Sequence, residues 1–76
     1  MPRAYVLINI APGTEVQVLN DVKKIGGVEE AYVSYGVYDL IVRVKEDSIE
    51  ALRELVTYHL RKIANVTSTL TLMETE

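Results

Sequence analysis

The 76 residues are 49% apolar and 25% charged, with a net charge of −3. That describes one small globular domain spanning 1–76, too acidic to neutralise phosphates and so not expected to bind nucleic acid directly. With no cysteine, a disulfide framework, a thiolate metal site and a cysteine nucleophile are excluded.

A chain this short hides only roughly 60% of its unfolded surface, so a second copy is expected to complete its core. The first apolar run is too short for a signal-peptide core, and no stretch approaches the roughly 20 apolar residues of a membrane span. A cytoplasmic location without membrane contact is expected.

Residues 3–10 (RAYVLINI) are rich in β-branched and aromatic side chains and stop at Ala11-Pro12-Gly13, which reads as a strand and a turn. Thr14 and Gln17 have capping-box spacing. Val18, Leu19, Val22 and Ile25 then follow at helical intervals until Gly26-Gly27 ends the first helix.

The segments 28–35 and 38–45 are both strand-like, separated only by Gly36-Val37, which predicts a tight hairpin. Asp47, three residues before Glu50, is the expected N-cap of a second helix. That helix carries Ile49, Leu52, Leu55, Val56, Leu60 and Ile63 on one stripe and is expected to end near Ala64-Asn65. Residues 66–73 (VTSTLTLM) alternate hydroxyl and apolar side chains as a half-buried strand does, and Glu74-Thr75-Glu76 forms an acidic tail.

The order βαββαβ, with right-handed crossovers, predicts an α+β, ferredoxin-like fold with a four-stranded antiparallel sheet. Both alternating sets of residues on the first and third strands contain apolar side chains. If Val6, Ile8 and Ile10 pack under the helices, then Tyr5, Leu7 and Ile41 face outward, a patch that a second copy would cover.

Several features carry potential chemistry. Asp39, a poor strand former, follows the Gly36 turn. It reads either as a solvated turn acid or, with backbone amides near Gly36, as part of a polar pocket for an amino-acid head group. Thr67, Thr69 and Thr71 are expected to share one face of the last strand, where they either serve the sheet or bind a ligand. Arg61 and Lys62 suit a solvated helix end. His59 has no cluster of potential metal ligands around it. No phosphate loop, carboxylate pair or nucleophile–base arrangement is legible, so a non-enzymatic protein without cofactor or metal is expected.

The segment Gly36-Val37-Tyr38-Asp39-Leu40-Ile41-Val42-Arg43-Val44 resembles the Gly-x-x-Asp signature, followed by an apolar strand, of the effector-binding (RAM) domain of Lrp/AsnC transcription regulators. Val66-Thr67-Ser68-Thr69-Leu70-Thr71-Leu72-Met73 is similar to that family's last strand, and the resemblance covers nearly the whole chain. It implies a dimeric α/β-barrel type of assembly, as a dimer or a ring of dimers, with a cleft between dimers that binds a small effector, an amino acid. Gly36, Val37, Tyr38, Asp39, Thr69 and Thr71 are the ligand-binding positions it implies.

A full-length Lrp/AsnC regulator is an implied partner, because the helix-turn-helix domain that precedes this domain in such regulators is not expected here. Tyr35 stands where many members carry Ser or Thr, and its phenol is expected to narrow the pocket. The same topology also serves ACT-type amino-acid-binding modules, in which residues 11–14 would hold the ligand. It further serves small cofactor-free enzymes, for which Tyr32 and His59 would be the residues to test.

Overall fold

The structure is a computed structural model that describes residues 1–74; Thr75 and Glu76 of the acidic tail lie outside them. Strand β1 (Arg3–Ile10) leads to helix α1 (Glu15–Lys23), then β2 (Val28–Val33) and β3 (Leu40–Lys45). Helix α2 (Ile49–Glu54) widens into a π-helical segment (Leu55–Leu60) before β4 (Val66–Met73). The four strands form one sheet in the order β2-β3-β1-β4, with each neighbouring pair antiparallel. This is the ferredoxin-like α+β fold.

Period-two alternation sorts the strands into two faces. Ala4, Val6 and Ile8 of β1 and Leu40, Val42 and Val44 of β3 are fully buried and pack with Val18, Val22, Leu52 and Leu60 of the helical layer. Each large aliphatic buried in this way contributes roughly 1.5–3 kcal/mol, and no Phe or Trp is needed to fill the space.

The helix ends differ from the sequence expectation in a consistent way. Thr14 makes no forward cap; its hydroxyl donates to the Ala11 carbonyl at 2.6 Å and is spent on the turn. At α2 the cap is Ser48 rather than Asp47: its backbone is extended and its Oγ accepts from Ala51 N–H at 3.0 Å. A hydroxyl one residue later thus reaches the third helical N–H, the usual N-cap partner.

The second helix does not continue regularly to Asn65. From Leu55 it widens, closed by Arg61 N–H donating to the Val56 carbonyl at 2.9 Å. This lets Leu55, Val56 and Leu60 all face the core, while Thr57, Tyr58 and His59 face outward. Ile49, expected on the buried stripe, is 53% exposed at the first turn. Asn65 holds the left-handed backbone (φ 76°) that ends the connection, a conformation asparagine tolerates better than most residues.

The β2–β3 hairpin is wider than the two-residue turn predicted. The strands stop at Val33 and start at Leu40, leaving a six-residue loop closed by Ser34 N–H donating to the Asp39 carbonyl at 2.8 Å. A tight type I′ turn needs positive φ at both central residues. Gly36 supplies it at φ 150°, but the β-branched Val37 does not, so the chain takes the longer route.

Candidate functional site

The three loops β1–α1, β2–β3 and the one before β4 meet at one end of the sheet, and the predicted ligand-binding positions fall around them. Gly36 and Asp39 share a cleft of about 610 Å3 with Glu15, Val16, Val33, Ser34 and Tyr35. Its lining contains two carboxylates and no cation. Val37 projects from the hairpin tip, 84% exposed, and Tyr38 is half-buried beside it; neither lines that cleft.

Asp39 lies just before β3 rather than within it, and its role in the loop is specific. Its backbone N–H donates to the Ile8 carbonyl at 3.0 Å, extending the β1–β3 ladder by one bond. Its Oδ2 accepts from Ile10 N–H at 2.9 Å, taking the place of the next ladder acceptor. One carboxylate oxygen therefore pins the hairpin to β1, and the other keeps its lone pairs for a further donor. Tyr35, expected to narrow the pocket, stays at the rim with 97% exposure.

The threonines lie elsewhere. Thr69 borders a groove of about 450 Å3 with Arg61, Val66, Thr67 and Ser68. Thr71 lines a separate, more apolar groove with Leu52, Arg53, Val56, Thr57 and Met73. Thr69 and Thr71 point to the helical side, opposite Ile8 and Val6, but the ladder expected to include Thr67 is broken. The register slips between Asn9 and Ile10, leaving Thr67 without a β1 partner. Gly36 and Asp39 are thus on one flank of β1 and the two threonines on the other, and one chain does not bring them together.

The face away from the helices carries a second feature. Across it run Tyr32, Ile41, Leu7 and Leu70, one from each strand, with Tyr5 and Leu72 paired in an adjacent row. Tyr5, Tyr32, Leu70 and Leu72 are exposed. Leu70 and Leu72 were not singled out from sequence, although they occupy the phase opposite Thr69 and Thr71.

At one side of this face Glu29 accepts from Arg3 Nε at 3.2 Å, with Arg43 Nε at 3.6 Å, beyond hydrogen-bond range. Arg43 Nε has no acceptor among the described residues, and its guanidinium lies over the Tyr5 ring. The Glu30 carboxylate, as hydrogen-bond acceptor, holds the Tyr32 pKa above its ordinary value, with partial desolvation adding to the effect.

Thr14, the hydroxyl an ACT-type site would use, is already donated to Ala11. Among the described residues no group of three or more His, Asp or Glu side chains is arranged to hold a metal, and no helix is long and apolar enough to cross a membrane. The two helical elements are separated in sequence by the hairpin and both cover the sheet, so no helix-turn-helix is formed among these residues.

The sheet, covered by helices on one face and apolar on the other with clefts at its loop end, has the architecture of a ferredoxin-like α+β domain. The family model described as the Lrp/AsnC ligand binding domain matches residues 3–76, and the chain belongs to that family. An uncharacterised HTH-type transcriptional regulator of Pyrococcus abyssi is 33% identical over 73 residues, which are 92% of this chain and 49% of the regulator. The chain therefore spans about half the length of the curated relatives it matches.

Among solved structures, FFRP-DM1 superposes with a TM-score of 0.94 at 36% identity, covering 99% of this chain and 100% of that one. A transcriptional regulator of Neisseria meningitidis, solved as its L-Met complex, superposes with a TM-score of 0.86. It is 14% identical, over 99% of this chain and 50% of that one, a likeness of fold alone.

Proposed function

We propose that this domain senses a small effector, an amino acid, at contacts between copies, and that it acts on transcription through its assembly with itself or with a full-length Lrp/AsnC regulator. The observation that carries the reading is the division of the site. Gly36 and Asp39 lie on one flank of β1 and Thr69 and Thr71 on the other, so a site using all of them is completed by another copy. Val37 and Tyr38 sit at the projecting hairpin beside it, where a neighbouring copy would meet them.

The uncovered sheet face supports assembly independently. It presents Tyr5, Tyr32, Leu70 and Leu72 to solvent, and contiguous apolar surface of this kind marks an interface. The Neisseria meningitidis regulator, a structural neighbour, is seen with L-Met, which makes a free amino acid the first ligand class to test.

The ligand biases assembly only by binding one assembled state more tightly than another. The test is isothermal titration of the folded protein with each of the twenty common amino acids, paired with native mass spectrometry. Saturable heat with at least one amino acid and a shift in oligomer distribution are expected. No heat from any of them on a folded, assembled protein would contradict the proposal.

A further inference from the structure

We propose that the groove between the end of the π-helical segment and the start of β4 is the carboxylate-binding half of the effector site, with Arg61 as its principal donor. This rests on the amino-acid-binding reading above and adds to it a residue and a polarity.

The groove is lined by donors. Arg61 stands beside Thr67, Ser68 and Thr69, with no carboxylate among the lining residues. Arg61 takes part in no ion pair and no side-chain hydrogen bond among the described residues, so its planar fork is available for the two-oxygen geometry it matches. Asn9 Nδ2 donates to Ser68 Oγ at 3.2 Å. That bond holds the Ser68 hydroxyl on the face of Asn9, away from the helices, so the side-chain donors on the helical side of the groove are Arg61 and Thr69.

Both elements bounding the groove depart from regular geometry at this point. The π-helical turn is closed by the backbone N–H of Arg61 itself, and the β4 register slips at Thr67, freeing that residue from the ladder. Such irregularities concentrate where a fold re-aims side chains for function.

The cleft holding Gly36 and Asp39 has the opposite polarity, with Glu15 and Asp39 as acceptors and no cation. One cleft suits an ammonium and the other a carboxylate. They flank β1 on opposite sides, two strand spacings or roughly 10 Å apart. An α-amino acid carries both charged groups on one carbon, so a single molecule joins them only where two copies bring the clefts together. Glu15 and Asp39 Oδ1 are then the ammonium acceptors, Asp39 Oδ2 being already committed to the Ile10 amide.

Two titrations test the assignment. Sodium acetate followed by NMR is expected to give saturable shifts at the Arg61 side-chain Nε–H and at the Thr67, Ser68 and Thr69 amides, lost in Arg61→Gln and kept in Lys62→Gln. Calorimetry with the twenty amino acids is expected to show affinity falling about 10–100-fold in Arg61→Gln, the loss of a charged hydrogen-bonding group. Arg61→Lys should be intermediate and Lys62→Gln within about threefold of wild type, because a nearby exposed charge acts only through screened solvent.

Amino acids binding equally to wild type and a folded Arg61→Gln would overturn the subsite while leaving the effector reading intact. Acetate shifts at Arg61 without amino-acid binding would support the subsite and defeat the effector reading. No localised acetate shift together with no amino-acid heat would overturn both.

Discussion

The two faces of the sheet are built from the same strands in alternate phase, yet they behave as different materials. On the helical side Val6, Ile8, Leu40, Val42 and Val44 lose all contact with solvent, as in the interior of a larger protein. On the other side Tyr5, Leu7, Ile41, Leu70 and Leu72 form rows of comparable hydrophobicity with tyrosine and arginine at their margins. Polar atoms placed among apolar ones suit a surface that must be soluble before it is covered, whereas an all-aliphatic layer suits one that is never exposed. Folding is therefore carried by one face, and the proposed assembly falls to the other.

The largest effect should come from the helical face. Leu40→Ala is expected to cost about 2–5 kcal/mol, the range for emptying a buried leucine site; because so small a domain has little stability to spare, chemical denaturation should find it partly unfolded. Ile41→Ala, one residue along on the other face, should leave secondary structure intact and weaken association instead. Equal losses of stability from the two would erase the contrast.

Gly27→Ala probes how closely the helical layer is seated. Gly27 has φ +96°, and an added Cβ would fall within 2.5 Å of both Glu46 Oε2 and Leu55 Cδ1. Backbone strain and displacement together are expected to cost roughly 1–3 kcal/mol, read as a lowered denaturation midpoint.

Asp39 separates loop architecture from ligand chemistry. Asp39→Ala leaves the Ile10 N–H without its acceptor, at a cost of about 1–3 kcal/mol, whereas Asp39→Asn keeps an acceptor and should recover most of it. If the two melt alike, the bond to Ile10 is not what holds the hairpin. Ser48→Ala, removing the α2 cap, should cost about 1 kcal/mol by the same measurement, with Ser48→Gly closer to wild type.

Much of this was legible in the sequence, for reasons that also explain what was not. Alternation in β1 and β3 assigned the two faces because a sheet's period of two leaves no other choice once the helices claim Val6 and Ile8. The glycine pair and the hairpin glycine placed the turns correctly. The loop length was misjudged because Val37 cannot take the positive φ a tight turn requires. Thr14 does stand at the N-cap of α1, but its hydroxyl is spent on the Ala11 carbonyl; at α2 the cap falls to Ser48 rather than Asp47 because its hydroxyl reaches the Ala51 N–H.

The family resemblance proposes Gly36, Asp39, Thr69 and Thr71 as ligand positions, and the structure puts the first two and the last two on opposite flanks of β1. Arg61 read only as a helix-end cation, and Glu15 was not singled out. Only the tertiary structure puts Glu15 beside the hairpin and Arg61 beside the β4 bulge.

The division between the faces is tested most directly by native mass spectrometry of wild type and Leu7→Asp, with circular dichroism as the check on folding. Wild type is expected to be a dimer or a larger even assembly, and Leu7→Asp a folded monomer, because a carboxylate at the centre of the covered face cannot be desolvated without a partner. A wild type that stays monomeric at tens of micromolar, or a Leu7→Asp protein that assembles as wild type does, would contradict the account.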